Sequence, residues 1–425
     1  MGIGVTLADV QAARERIRGA IYDSPCPESI PLSELTGCRV YCKLDYLQRT
    51  GSFKERGARN ALLLLDEAKR RRGVIAASAG NHALALSYHS KLLGIPATVV
   101  MPRFAPLIKV TSCRRMGATV VLHGEDFAQA RAKADELAQQ QGLTYIHGFN
   151  DPAIIAGQGT LGLEILEQVP DVEAVVVPIG GGGLIAGIAL AVKAIRPQVQ
   201  VIGVEAAASP AFAAAMEAGR PVQVPIRPTL ADGLAVGRVG DLALELARQH
   251  VDRAVQVDED ALGLAILRLL EMEKSVVEGA GAAPLAALLS GQLPELAGKR
   301  VVLVLCGGNI DPAVLCRVVE HGLVVDGRLC RFTAVISDRP GGLEKLARAI
   351  ASCGASIKEV VHERAFAEPD ISTVRVVCTV ETADREHVAT LLDRLRSEGF
   401  QIWPEAYRSE AAGADPKAPA AALPS

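Results

Sequence analysis

A lysine able to act as an amine nucleophile stands at Lys54, inside Gly51-Ser52-Phe53-Lys54-Glu55-Arg56-Gly57. Ser52 and Glu55, three positions apart, read as a capping box, and Ala58 to Arg70 continue as an amphipathic helix. Lys54 then falls in the first helical turn, where the positive end of the backbone dipole disfavours an ammonium. Burial would push the same way and favour the free amine that a Schiff base needs. Taken alone, such a residue is equally an ordinary solvated lysine at a helix start. Three other segments end apolar runs in small or polar residues. Gly73 to Ala77 leads to Ser78-Ala79-Gly80-Asn81-His82 and then a helix over Ala83 to Leu93, so this turn offers unpaired backbone N–H groups to a carboxylate or phosphate. Ala174 to Pro178 leads to Gly180-Gly181-Gly182-Gly183-Leu184, where four glycines let the main chain wrap an anion closely. Val301 to Leu305 delivers Cys306-Gly307-Gly308-Asn309 at the carboxyl end of a buried strand, where ligands collect in open α/β sheets.

Elements that present four such turns together must alternate strand and helix, and from Val40 to Leu305 apolar runs do alternate with helical patterns, as a parallel α/β architecture demands. After Asp326-Gly327 the pattern changes. Strand (Cys330 to Ser337), helix (Leu343 to Cys353), strands (Ser356 to His362, Ser372 to Val380), helix (Arg385 to Ser397) and strand (Gln401 to Pro404) make a ferredoxin-like βαββαβ unit. The expected division is therefore a chemistry-bearing part over 1–325, a separate small domain over 328–408, and a disordered alanine- and proline-rich tail over 409–425.

The chain has 425 residues and a formal charge of -3, which points to neither nucleic acid nor a membrane surface as partner. Its nine cysteines lack paired spacing, as expected of reduced thiols in the cytoplasm. No secretory signal opens it, and the apolar stretch Leu184 to Ile195 is too short to span a bilayer.

The four turns together resemble the tryptophan-synthase-like (fold type II) pyridoxal-phosphate enzymes, and within them the serine/threonine dehydratase branch that contains the threonine ammonia-lyases. Leu47 to Ala58 is a near-complete copy of that branch's lysine motif, and Val99 to Pro102, Ala156 to Thr160 and Ala231 to Val236 add to the match, which covers about residues 20–325. The resemblance implies an α/β fold of two parallel-sheet lobes, the smaller over about 50–149 inserted in the larger. It implies pyridoxal 5'-phosphate on Lys54, Phe53 against its ring, Asn81 at its 3-hydroxyl, Gly180, Gly181, Gly182, Gly183 and Leu184 around its phosphate, and Cys306 at its ring nitrogen. Ser78, Ala79, Gly80, Asn81 and His82 would seat the substrate carboxylate. The expected reaction is α,β-elimination of threonine, or of serine, to a 2-oxo acid and ammonia. The segment Ser337 to Leu343 resembles the first turn of an ACT-type regulatory domain, which implies an amino-acid effector, and the branch implies a homodimer or homotetramer.

Departures from the family pattern set limits. Ala79 stands where serine racemases carry a serine that supplies a second proton donor. Cys306 stands where threonine-specific members usually carry serine, which leaves serine open as the main substrate. Near Glu205, Ala211 stands in place of the second carboxylate of a family cation site, so no metal is assigned. From another class, Gly181-Gly182-Gly183-Leu184-Ile185-Ala186 followed by Glu205 also fits a nicotinamide-binding pattern. That reading leaves Lys54, Asn81 and Cys306 unexplained, and a non-catalytic amino-acid sensor leaves the intact lysine motif unexplained.

Overall fold

The structure, a computed structural model, describes residues 4–363 and 372–405. Nine strands lie in the first compact unit, Met1–Asp311: β1 (Arg39–Lys43), β2 (Val74–Ala77), β3 (Ala97–Met101), β4 (Thr119–Leu122), β5 (Thr144–Tyr145), β6 (Ala174–Pro178), β7 (Gln200–Ala206), β8 (Arg253–Val257) and β9 (Arg300–Val304). They form two sheets of order β1-β9-β6-β7-β8 and β4-β3-β2-β5, and every pairing in both is parallel. The smaller sheet is inserted between β1 and β6. Parallel strands need crossover helices that cover both faces, which is why β2 and β6 are buried along their whole length.

The helix that begins at Lys54 differs from expectation in two respects. It runs only from Lys54 to Leu63, and a separate helix, Glu67–Arg72, restarts after Asp66 caps it by accepting the Lys69 N–H. No side chain caps Lys54–Leu63. The capping box does not form, because Glu55 turns back to accept the Thr50 N–H and pairs with His89 Nε2 at 2.9 Å, all buried. This helix packs against both Pro152–Gln168 and Asn81–Leu93, so little of it is left to be amphipathic. At its back, fully buried Arg56 bonds Asp45 and Glu164, and Lys43 bonds Glu164 at 2.6 Å.

The second unit, Pro312–Ser425, holds β10 (Leu329–Ser337), β11 (Ser356–Glu363), β12 (Thr373–Glu381) and β13 (Gln401–Pro404) in the order β11-β12-β10-β13. All its pairings are antiparallel. With helices Gly342–Ser352 and Arg385–Ser397 this is the expected βαββαβ topology, closed over a core that includes Phe332, Leu346, Val376 and Leu391. The compact division falls after Asp311, earlier than the boundary near Val325 expected from sequence, because helix Pro312–Val325 packs on β10. The expected tail, 409–425, lies outside the described residues.

Candidate active site

The carboxyl end of β9 organises the site. Phe53 donates its N–H to the Cys306 carbonyl at 2.9 Å, and the Gly308 N–H reaches the Gly51 carbonyl at 2.9 Å, so the lysine loop is stitched to the turn that follows β9. Gly51 takes φ +77, and a side chain there would strike the Asn309 amide. That is the physical reason for a glycine just ahead of the lysine.

Lys54 Nζ lies 5.0 Å from the Phe53 ring centroid and donates to the Gly148 carbonyl at 2.8 Å. No carboxylate pairs with it. Burial therefore pushes its pKa down to about 8, although the nearby Cys306 and Glu278 oppose the shift. Cys306 is buried, and burial with the adjacent Glu278 raises its pKa, which keeps the thiol protonated at neutral pH.

The turn before helix Asn81–Leu93 arrives from β2, and Ser78, Ala79, Gly80 and Asn81 are all half-buried in it. Ser78 Oγ accepts the Gly80 N–H at 3.3 Å. Asn81 Nδ2 donates to Glu278 Oε1 at 2.7 Å, and its Oδ1 accepts from Asn309 Nδ2 at 2.9 Å. His82 is buried, with its pKa pushed down to about 3 by desolvation and by the nearby Lys54. A neutral imidazole has one N–H, and Nε2 spends it on the Ile146 carbonyl at 3.0 Å. The His82 ring thus offers only an acceptor, Nδ1, to a substrate. A carboxylate in this turn would meet backbone N–H groups and Ser78 rather than an imidazole donor.

Gly180 to Gly183 follow β6, with Gly182 at φ +90, and helix Gly183–Ile195 starts there. A side chain on Gly181 or Gly183 would collide with Phe149. Leu184 buries its side chain in the core of the large sheet, which leaves its backbone N–H as the group able to meet an anion. The segment His147 to Asn150 was not singled out from sequence, yet it joins the lysine to the glycines. Gly148 takes the Lys54 amine, Phe149 packs on the glycines, and His147 Nδ1 accepts the N–H groups of Phe149 and Asn150. Its signal was a glycine and an aromatic just ahead of the Asp151-Pro152 helix start.

Glu278 was missed as well. It stands at the N-terminal boundary of helix Gly279–Leu289 without a side-chain bond to that helix, is buried, and has its pKa pushed up to about 7 by burial and by Asp232. A lone acid before Gly279-Ala280-Gly281-Ala282 was the available signal, since small residues at a helix start permit close approach of a neighbouring backbone.

The chain matches the family described as "Pyridoxal-phosphate dependent enzyme" over residues 17–307. The chain belongs to that family. It is 44% identical over 398 residues to the L-threonine ammonia-lyase of Thermotoga maritima, covering 94% of this chain and 99% of that one. It is 45% identical over 308 residues to the L-threonine dehydratase catabolic TdcB of Escherichia coli K12, with 72% of this chain matching 94% of the relative. Among solved structures, threonine deaminase isoform 2 of Solanum lycopersicum is similar with a TM-score of 0.70 and 36% identity over 74% of this chain and 92% of its own. Maize serine racemase follows with a TM-score of 0.71 and 33% identity over 76% and 98%. The two parallel sheets are the fold type II arrangement of this family, to which the antiparallel C-terminal sheet is added.

The residues present fit pyridoxal phosphate on structural grounds. The glycine turn has no room for a side chain, the helix behind it begins with free N–H groups, and the lysine amine has a carbonyl rather than a carboxylate as its hydrogen-bond partner among the described residues. Thr50 Oγ1, Ser52 Oγ and His82 Nδ1 are buried polar atoms without a partner among the described residues. The nicotinamide pattern does not survive. Glu205 is buried at the start of helix Ala211–Ala218, where its two oxygens take the N–H groups of Phe212 and Ala213 and the Gln256 amide. The carboxylate is thereby committed to protein donors and buried away from a ribose hydroxyl.

Proposed function

We propose that this chain converts L-threonine to 2-oxobutanoate and ammonia by α,β-elimination, and also L-serine to pyruvate, with Lys54 as the catalytic amine. The observation that carries the reading is a lysine whose amine has only the Gly148 carbonyl as partner and whose pKa is pushed down to about 8, between the turns after β2, β6 and β9. When bound, pyridoxal phosphate supplies the electron-poor ring that makes the substrate Cα–H acidic. The amine of Lys54, as free base, accepts that proton at Nζ. The first backbone N–H groups of helix Gly183–Ile195 and the glycines before it would hold the phosphate, Phe53 would lie beside the ring, and Cys306, with its thiol kept protonated, would stand at the ring nitrogen in place of a carboxylate. Without a carboxylate there the ring is a weaker electron sink, which suits a reaction in which the β-leaving group carries the charge away. Ser78 and the N–H groups of Gly80 to His82 seat the substrate carboxylate. In atoms, threonine loses its Cα proton and β-hydroxyl as water, and one water returns on hydrolysis of the enamine.

The proposal extends to the second unit as an ACT-type module that senses a branched-chain amino acid. The supporting feature is the turn Asp338 to Leu343, where Gly341 takes φ +96 and a side chain on Gly342 would collide with the Ser337 carbonyl. The working form is a homodimer or homotetramer in the cytoplasm; all nine cysteines are unpaired, and no helix among the described residues is long and apolar enough to cross a membrane.

Steady-state kinetics with both substrates, with and without isoleucine and valine, test the reading. A higher kcat/KM for serine would make serine the main substrate, and indifference of the full chain to every branched-chain amino acid would remove the sensing role. A purified protein lacking a visible absorption band that borohydride bleaches would sink the catalytic reading as a whole.

A further inference from the structure

We infer that Glu278 is a positioning residue that, together with Asn309, locks the Asn81 side-chain amide in one orientation and so presents its remaining Nδ2–H to the cofactor ring oxygen. The inference rests on the placement of Asn81 beside the cofactor in the proposed function.

The lock is a matter of donors and acceptors. Asn309 Nδ2 has two hydrogens; one goes to the Thr50 carbonyl at 2.7 Å and the other to Asn81 Oδ1 at 2.9 Å. Glu278 Oε1 takes one hydrogen of Asn81 Nδ2 at 2.7 Å. Turning the Asn81 amide over would set its oxygen against the Glu278 carboxylate and its NH2 against the NH2 of Asn309. The Asn309 contact would then be mismatched outright and the Glu278 contact mismatched whenever its carboxyl is ionised, in a half-buried setting where an unmade polar contact is costly. One Nδ2 hydrogen is left, and it can only donate.

Each part of the lock is itself held. The Glu278 N–H donates to the Gly307 carbonyl at 3.0 Å, and the Asn309 backbone also hydrogen-bonds the Glu278 carboxylate. A side chain on Gly307 would run into Glu278 Oε1, as one on Gly51 would run into Asn309. The Thr50 carbonyl that orients Asn309 belongs to a residue whose N–H is taken by Glu55, and Glu55 is held by His89 two turns along the helix that Asn81 begins. Both polar groups of the Thr50 backbone are thereby tied to one helix. Lys109 adds a contact from the small lobe, donating to the Asn309 carbonyl at 3.3 Å.

The test is a double-mutant cycle on cofactor affinity. Apoenzyme of Asn81→Ala, Glu278→Ala and the double variant is titrated with pyridoxal phosphate, with circular dichroism to establish folding and the absorption spectrum of the bound cofactor recorded. Glu278→Ala is expected to weaken binding by roughly 10- to 100-fold, the loss of a charge-assisted hydrogen bond, and to shift the cofactor band. The double variant should bind no worse than Asn81→Ala alone. Glu278→Gln, which keeps an acceptor oxygen, should restore affinity to within about threefold. It also covers the case in which Glu278→Ala does not fold, since a large loss in the glutamine variant overturns the lock. Additive losses in the cycle would mean that Glu278 acts independently of Asn81 and would overturn the inference. An Asn81→Ala variant with unchanged affinity and spectrum would instead remove Asn81 from the cofactor, and the inference with it.

Discussion

Lys54 and Arg56 stand two residues apart in the first turn of one helix, the first half-buried and the second fully buried, and meet opposite electrostatic surroundings. Burial works against the Arg56 charge, but Asp45 and Glu164 outweigh it, so the guanidinium pKa is raised; Asp45 is held below its usual range in return. Lys54 bonds a carbonyl and lies near a ring, and burial wins over the weaker pull of Cys306 and Glu278. One cation is a structural tie between the turn that follows β1, the lysine helix and helix Pro152–Gln168. The other is an amine held ready to lose its proton. What separates a reagent from a brace here is the placement of carboxylates, because the difference between paired and unpaired buried charge exceeds any dipole effect at a helix start.

Removing each side chain breaks the comparison most directly. Lys54→Ala is expected to lower ammonia release from threonine by at least about 10^3-fold while leaving thermal unfolding within a few degrees, since alanine is a good helix former. Turnover in the folded variant would end the assignment. Arg56→Met leaves Asp45 and Glu164 with Lys43 as the only other cation named in this cluster, and should cost on the order of 3–5 kcal/mol in a urea titration. A loss below 1 kcal/mol would show that the cluster is not a tie.

Proton affinity sharpens the contrast. Because the Lys54 pKa is pushed down from 10.5 to about 8, the amine is mostly protonated below pH 8 and mostly free above it. Capture of pyridoxal phosphate by apoenzyme should therefore speed up about tenfold per pH unit below 8 and level off above it. A profile that keeps climbing to pH 10 would mean an unperturbed lysine. Cys306→Ser should stay active, whereas Cys306→Asp should slow elimination by about tenfold, as an aspartate would protonate the ring nitrogen and crowd Glu278. Equal activity of the aspartate variant would place residue 306 away from the nitrogen. The smallest effect is expected from Ala79→Ser, which adds a hydroxyl to the turn before Asn81. Traces of Cα-proton exchange from D-serine, read by NMR in deuterated water, should appear, and none would count against the proposed seat of this turn.

Sequence alone was enough for the elements and for the four turns. Alternating apolar runs, glycines at strand ends and the change of pattern after Asp326 are local signals, and the start of the lysine helix, the two parallel sheets and the βαββαβ unit follow them, whereas the end of that helix does not. Tertiary structure decided everything that depends on which groups face one another. Glu55 left its expected capping role because Thr50 and His89 offered it buried partners, His82 lost its free donor to the Ile146 carbonyl, and Glu278 met Asn81 across 197 positions of chain. A depressed amine pKa is likewise invisible in a motif, because it arises from burial that outweighs the opposing pull of Cys306 and Glu278, neither of them near Lys54 in sequence. Spacing along a chain records which residues are near, whereas the energy of a buried charge depends on every group that surrounds it in space.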